Sequence, residues 1–199
     1  MAKKPTRLDS LERVEVVRAS QWRAWLKKHH TRTEGIWLVS YKKHIADKYI
    51  SWSAIVEEAL CFGWIDGVAR KLDGDRSMLY LSPRKPRSVW SKVNKARVEQ
   101  LIAEERMTPA GLKAIGIAKA NGSWSALDAV EAMIIPEDLA DALKRNRTAN
   151  KHFDAFPASA RKYTLTWISS ARTEATRAKR VAETVSLAAR NMRANQPRT

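Results

Sequence analysis

Every run that reads as a β-strand in this chain of 199 residues lies at or before Pro83, and everything after it reads as helix. That asymmetry excludes an alternating βαβα fold and an all-β sandwich, and points to strands and helices segregated along the chain. Residues 13–18 alternate Val14 and Val16 with charged neighbours, the period of a short edge strand. Residues 36–42 (IWLVSYK) are rich in β-branched and aromatic side chains. Residues 64–72 and 77–82 flank Asp73-Gly74-Asp75, a hairpin turn signal, and Pro83 and Pro86 stop the second strand. Between these runs, Ser20 is placed to cap a helix carrying Trp22, Trp25 and Leu26 on one face. Residues 51–62 hold Trp52, Ile55, Val56, Ala59 and Leu60 in an apolar stripe, with Gly63 where such a helix ends.

After the prolines, residues 89–107 predict a long amphipathic helix, and Thr108-Pro109 opens another with the cap-then-proline order that ends at Asn121-Gly122. Helical segments follow at 136–146, 149–156, 159–169 and 173–192. Over the last of these and the residues leading into it, Trp167, Ala171, Ala178, Val181 and Val185 are expected to share an apolar face, with Arg172, Arg177, Lys179, Arg180, Arg190 and Arg193 giving a basic outer side. The expected fold class is α+β: a small antiparallel sheet with flanking helices, followed by an all-helical C-terminal region. The expected domains are 1–130 and 131–199. The first ten residues and residues 193–199 are polar enough to fray.

Composition narrows the function classes. Hydrophobic residues make up 44% and there are eight tryptophans, so the chain has apolar surface enough to offset its ordering entropy. Its formal net charge is +16, which calls for an anionic partner or serves solubility. Cys61 is the single cysteine and forms no internal disulfide. No early apolar run reads as a secretory signal and no stretch is long enough to span a bilayer, so a cytoplasmic location is expected. His29 and His30 are adjacent, which on a helix turns them about 100° apart, and no metal, cofactor, phosphate-loop or nucleic-acid-binding motif is present.

Two clusters remain. In the first, Cys61 to Gly67, Asp66 is a candidate to orient a ligand or act as a base beside Trp64, while Cys61 lacks a local histidine or asparagine and reads as core. In the second, Arg84, Lys85 and Arg87 precede Ser88, Trp90, Ser91 and Asn94 at an expected helix start with Ser88 as its cap. Side-chain cations and free helix amides together make an anion site. Between residues 66 and 100 there are nine Lys/Arg against four acids, so the bias is local.

The runs Glu58–Gly67 (EALCFGWIDG) and Pro83–Asn94 (PRKPRSVWSKVN) resemble motifs of the YdeI/OmpD-associated, bacteriocin-protection family, and residues 135–181 are similar to its helical domain. One departure lies at Ala171–Arg177 (ARTEATR), where alanine takes the place of a glutamate usual in that family; Glu174 is its neighbour. The resemblance implies a role in stress or antimicrobial-peptide tolerance and specifies no reaction. The ligand set expected is therefore Trp64, Asp66, Arg84, Lys85, Arg87, Ser88, Trp90, Ser91 and Asn94, holding an anionic small molecule or a polyanion, nucleic acid among them, without a cofactor. Two alternatives stand beside it: an enzyme acting on a phosphorylated or carboxylated small molecule with Asp66 as base, and a partner-binding module built on the C-terminal helices.

Overall fold

A short 3-10 helix at Arg7–Ser10 leads into β1 (Arg13–Glu15), α1 (Ala19–His29), β2 (Ile36–Tyr41), α2 (Trp52–Cys61), β3 (Trp64–Lys71), β4 (Arg76–Pro83), α3 (Lys92–Ala103) and α4 (Pro109–Ala120). The structure is a computed structural model that describes residues 7–195, and the chain divides into two units between Ser125 and Ala126. The strands stand in the order β1-β2-β4-β3. β3 and β4 are antiparallel around the expected turn, where Asp73 Oδ1 accepts from the Asp75 and Arg76 amides at 2.9 and 2.7 Å. β2 and β4 are antiparallel as well, but β1 runs parallel to β2. The sheet is therefore mixed rather than wholly antiparallel, because α1 spans the β1–β2 connection and a crossover of that kind joins parallel neighbours.

The period-two alternation of strand side chains gives the sheet two apolar faces. Ile36, Leu38, Leu79, Leu81 and Trp64 join Trp22 and Leu26 of α1 and Ile55, Val56, Ala59 and Leu60 of α2 in the main core. Trp22 stacks on Trp25 and meets Trp64 edge-on, and the buried indole N–H groups of Trp22 and Trp64 donate to the carbonyls of Ile55 and His30. Trp52, expected in the apolar stripe, sits at the first position of α2 and stays 46% exposed. On the other face, Trp37, Val39 and Met78 are covered by Leu8 and Leu11, so residues 7–11 pack instead of fraying; residues 1–6 lie outside the described ones.

Glu58 is buried on α2 and is held by Arg23 at 2.7 Å and Arg106 at 2.9 Å. Gly63 links α2 to β3 with a φ of +74°, the left-handed value glycine adopts without penalty. Ser91 caps α3 by accepting from the Asn94 amide at 3.3 Å, so the helix starts later than expected and Ser88 is not its cap. Ser88 instead closes a turn onto the Lys85 carbonyl.

In the second unit a four-residue helix not foreseen in the sequence, α5 (Asp128–Glu131), precedes α6 (Glu137–Lys144), α7 (Arg147–Ala155), α8 (Ala158–Ser169) and α9 (Glu174–Ala189). Leu139, Leu143, Phe153, Leu165, Ile168 and Val181 are among its buried core. Asn146 and Thr173 cap α7 and α9 through their side chains. Ala178, expected on the apolar face of the last helix, is exposed; Val181, Thr184 and Ala188 carry the buried side. The basic outer side is partly engaged, since Arg177 forks onto Asp138 at 2.6 and 2.9 Å and Arg180 lies over Trp167 and donates to its carbonyl. Ala194 is buried and its carbonyl accepts from Thr164, so the chain is packed to that point. No helix among the described residues is long and apolar enough to cross a membrane.

Candidate functional site

The end of β4 brings the basic run into the body of the first unit. The Arg84 amide donates to the Gly63 carbonyl at 2.9 Å, tying the strand end to the glycine turn after α2. Two residues on, the Pro86 carbonyl accepts from Asn121 at 2.7 Å and Ser123 at 3.3 Å, so the loop is fastened at both ends. Trp90 follows, 1% exposed and packed 5.0 Å from the Trp124 ring.

Arg84 is held against that tryptophan. Its guanidinium carbon lies 3.7 Å from the Trp90 ring centroid, within the range of a cation–π contact. Nη1 donates to the Val89 carbonyl at 3.1 Å, whereas Nε and Nη2 are buried without a hydrogen-bond partner. Leaving a buried donor unmet costs about 1–3 kcal/mol, more for a charged group. Burial pushes the Arg84 pKa down to about 10, and the charge of Asp66 offsets part of that. A guanidinium in this state has hydrogen-bonding capacity that an oxyanion could satisfy only if the group turned to expose these donors.

Two cavities border this guanidinium. A cavity of about 540 Å³ is lined by Arg84, Lys85, Lys113 and His30 on its polar side and by no aspartate or glutamate. Phe62, Trp90, Ala110, Ala114 and Ile117 supply apolar wall. A second cavity, of about 500 Å³, also has Arg84 and Lys85 in its lining, together with Tyr80, Ser82 and the exposed Arg7–Glu34 ion pair. Both volumes fall in the range of small-molecule sites.

Of the residues singled out from the sequence, Arg84, Lys85 and Trp90 meet on the first cavity, and the others do not line it. Trp64 is fully buried in the core. Asp66 is half-buried on β3, lines neither cavity, and reaches Arg84 only through its charge. Arg87 is exposed, and Ser88 makes the turn described above. Ser91 and Asn94 serve the start of α3, where the Asn94 side chain also accepts from Arg97 at 3.0 Å. Sequence reading missed Lys113 of α4 and His30, the residue that follows α1, neither of which carries a local motif. Cys61 is buried, and that burial raises the pKa of its thiol and so disfavours the thiolate form. Among the described residues no three His, Cys, Asp or Glu side chains gather where a metal ion would be held.

Comparison with known proteins gives two matches. Residues 14–114 match the family model described as a domain of unknown function (DUF8412), and residues 132–191 match the one described as Bacteriocin-protection, YdeI or OmpD-Associated. No curated protein and no solved structure matches the chain. The runs Glu58–Gly67 and Pro83–Asn94 fall inside the first match, as do all the residues lining the first cavity except Ile117 and Ala118, while the second match lies within the helical second unit. The first match spans half of the chain, so the chain belongs to the family of that domain of unknown function (DUF8412), and residues 132–191 of its helical second unit are similar to the Bacteriocin-protection, YdeI or OmpD-Associated model.

Proposed function

We propose that the first unit is a binding module for a small anionic ligand, and that Arg84 is its anchor. The observation that carries this reading is the pair of buried, unmet donors on Arg84 beside a cavity free of acids. Lys85 and Lys113 are exposed members of the lining and would draw an anion toward it. Nε and Nη2 are sealed from solvent, so an oxyanion meets them when the guanidinium turns off the Trp90 face; binding should therefore change tryptophan emission. The enzymatic alternative finds no support in the geometry, since its base, Asp66, lines neither cavity. A role in stress or antimicrobial-peptide tolerance rests on the family description alone.

Calorimetric titration of the full chain tests the reading. Inorganic phosphate should bind to the wild type, with affinity about tenfold or more weaker in Arg84→Met, the loss of one charge-assisted pair. Single-stranded DNA supplies the other arm, at about 50 mM and about 200 mM salt. Binding of DNA that falls with salt and ignores Arg84→Met would assign the basicity to a polyanion surface and overturn the Arg84 site.

A further inference from the structure

Resting on that anion site, we infer that its ligand is an amphiphile, an oxyanion head group carried on an apolar body. The cavity is built for two chemistries at once. Its cations are Arg84, Lys85 and Lys113, with His30 beside them, and these meet a head group. The remaining wall is apolar and comes largely from one face of α4: Ala110, Ala114, Ile117 and Ala118 recur at the spacing that stacks side chains along one side of a helix. Phe62 and Trp90 complete it.

The wall is brought close by the glycine turn. A Cβ on Gly63 would stand 3.1 Å from the Ala110 carbonyl oxygen and 3.2 Å from the Ala114 methyl, so the α2–β3 link and α4 approach to contact distance. A bare inorganic anion would satisfy Arg84 and leave most of a 540 Å³ space and its apolar wall wet. A neutral apolar molecule would cover the wall and leave the guanidinium donors unmet. Only a ligand with both parts uses the whole lining, and each methylene it buries should tighten binding by roughly fourfold. Carboxylate and phosphate head groups share the geometry that an arginine fork accepts.

The test is titration calorimetry on the full chain with acetate, inorganic phosphate, octanoate, octyl phosphate and octanol, each kept below its micelle-forming concentration. Octanoate and octyl phosphate are expected to bind about tenfold or more tighter than acetate and phosphate, and about tenfold or more tighter than octanol, which lacks the charged head group. Whichever octyl compound binds better identifies the head group. Ile117→Asp, at a position 37% exposed and so tolerant of a polar side chain, should weaken the octyl anions by about tenfold, with thermal melting confirming that the variant folds. Phosphate binding as tightly as octyl phosphate, with dependence on Arg84, overturns the amphiphile and leaves the anion site standing. Octanol binding as tightly as octanoate overturns the amphiphile by showing that no head group is read. Absence of any Arg84-dependent anion binding overturns both readings.

Discussion

Glu58 and Arg84 are both charged and largely withdrawn from water, yet their surroundings differ in what they return for that cost. Glu58 has an arginine on each carboxylate oxygen. Arg84 has one carbonyl, an indole face and two donors with no acceptor. Removing each side chain should therefore move stability in different directions. Glu58→Ala leaves Arg23 and Arg106 without their shared partner, but both are about one-third exposed and regain water. The expected loss is therefore about 2 kcal/mol, below the 3–5 typical of a fully buried pair. Arg84→Met keeps an unbranched stem on Trp90 and removes the unmet donors, so the unliganded protein should be as stable as the wild type or more stable by up to about 2 kcal/mol. The sign follows from the lowered pKa: folding disfavours the charged form of Arg84, so its penalty is in force below about 10 and fades only as pH rises toward the unfolded value. The stability difference between Arg84→Met and wild type should then be flat from about pH 6 to about pH 9 in urea denaturation. A clear loss of stability in Arg84→Met would mark the side chain as structural.

At the scale of elements, α4 shows where local preference and packing part company. Glycine is a poor helix former, and Gly111 sits in the first turn of α4, so replacing it by alanine should help by up to about 1 kcal/mol on propensity alone. A Cβ at that position would lie 2.3 Å from the Cys61 carbonyl oxygen and 2.8 Å from its carbon. Backbone at the end of α2 cannot yield as a flexible side chain would, and overpacking of this kind costs about 1–3 kcal/mol. Gly111→Ala is expected to destabilise by about 2 kcal/mol in denaturant melts, the steric term outweighing propensity, and to weaken anion binding by displacing the cavity wall. The same contrast explains what was legible in the sequence. The β3–β4 hairpin, the Gly63 stop and the Thr108-Pro109 helix start depend on residues within a few positions of one another, and each is where the pattern put it. The direction of β1 depends on how α1 crosses the sheet, which no strand-length window contains. Ser88 and Ser91 are equally good caps by type, and the fastening of Pro86 to Asn121 and Ser123, residues far along the chain, accompanies the later start. Arg84, Lys85 and Trp90 were visible as a run, whereas Lys113 and His30 join them only through the fold.

At the scale of the whole molecule, the charge of +16 sets how the protein responds to ions. Like charges repel in the folded state, and salt shortens their reach to about 10 Å at 0.1 M. Raising sodium chloride from about 20 mM to about 200 mM should therefore raise the melting midpoint, in the wild type and in Arg84→Met alike. Phosphate at the same ionic strength adds two further effects. One is general: phosphate is excluded from protein surfaces and strengthens apolar burial whatever the charge pattern. The other is specific to a site, and at ten times its dissociation constant a bound anion adds about 1.4 kcal/mol, which for a chain of this size moves the midpoint by about 3–5 °C. The two are separated by the variant, because general exclusion acts on Arg84→Met as it does on the wild type. The expected result is a phosphate increment over chloride that shrinks by most of that amount in Arg84→Met while the chloride increment is unchanged. Equal phosphate increments in both proteins would mean that the basic surface responds to ions only as a diffuse charge, with no anion held at Arg84.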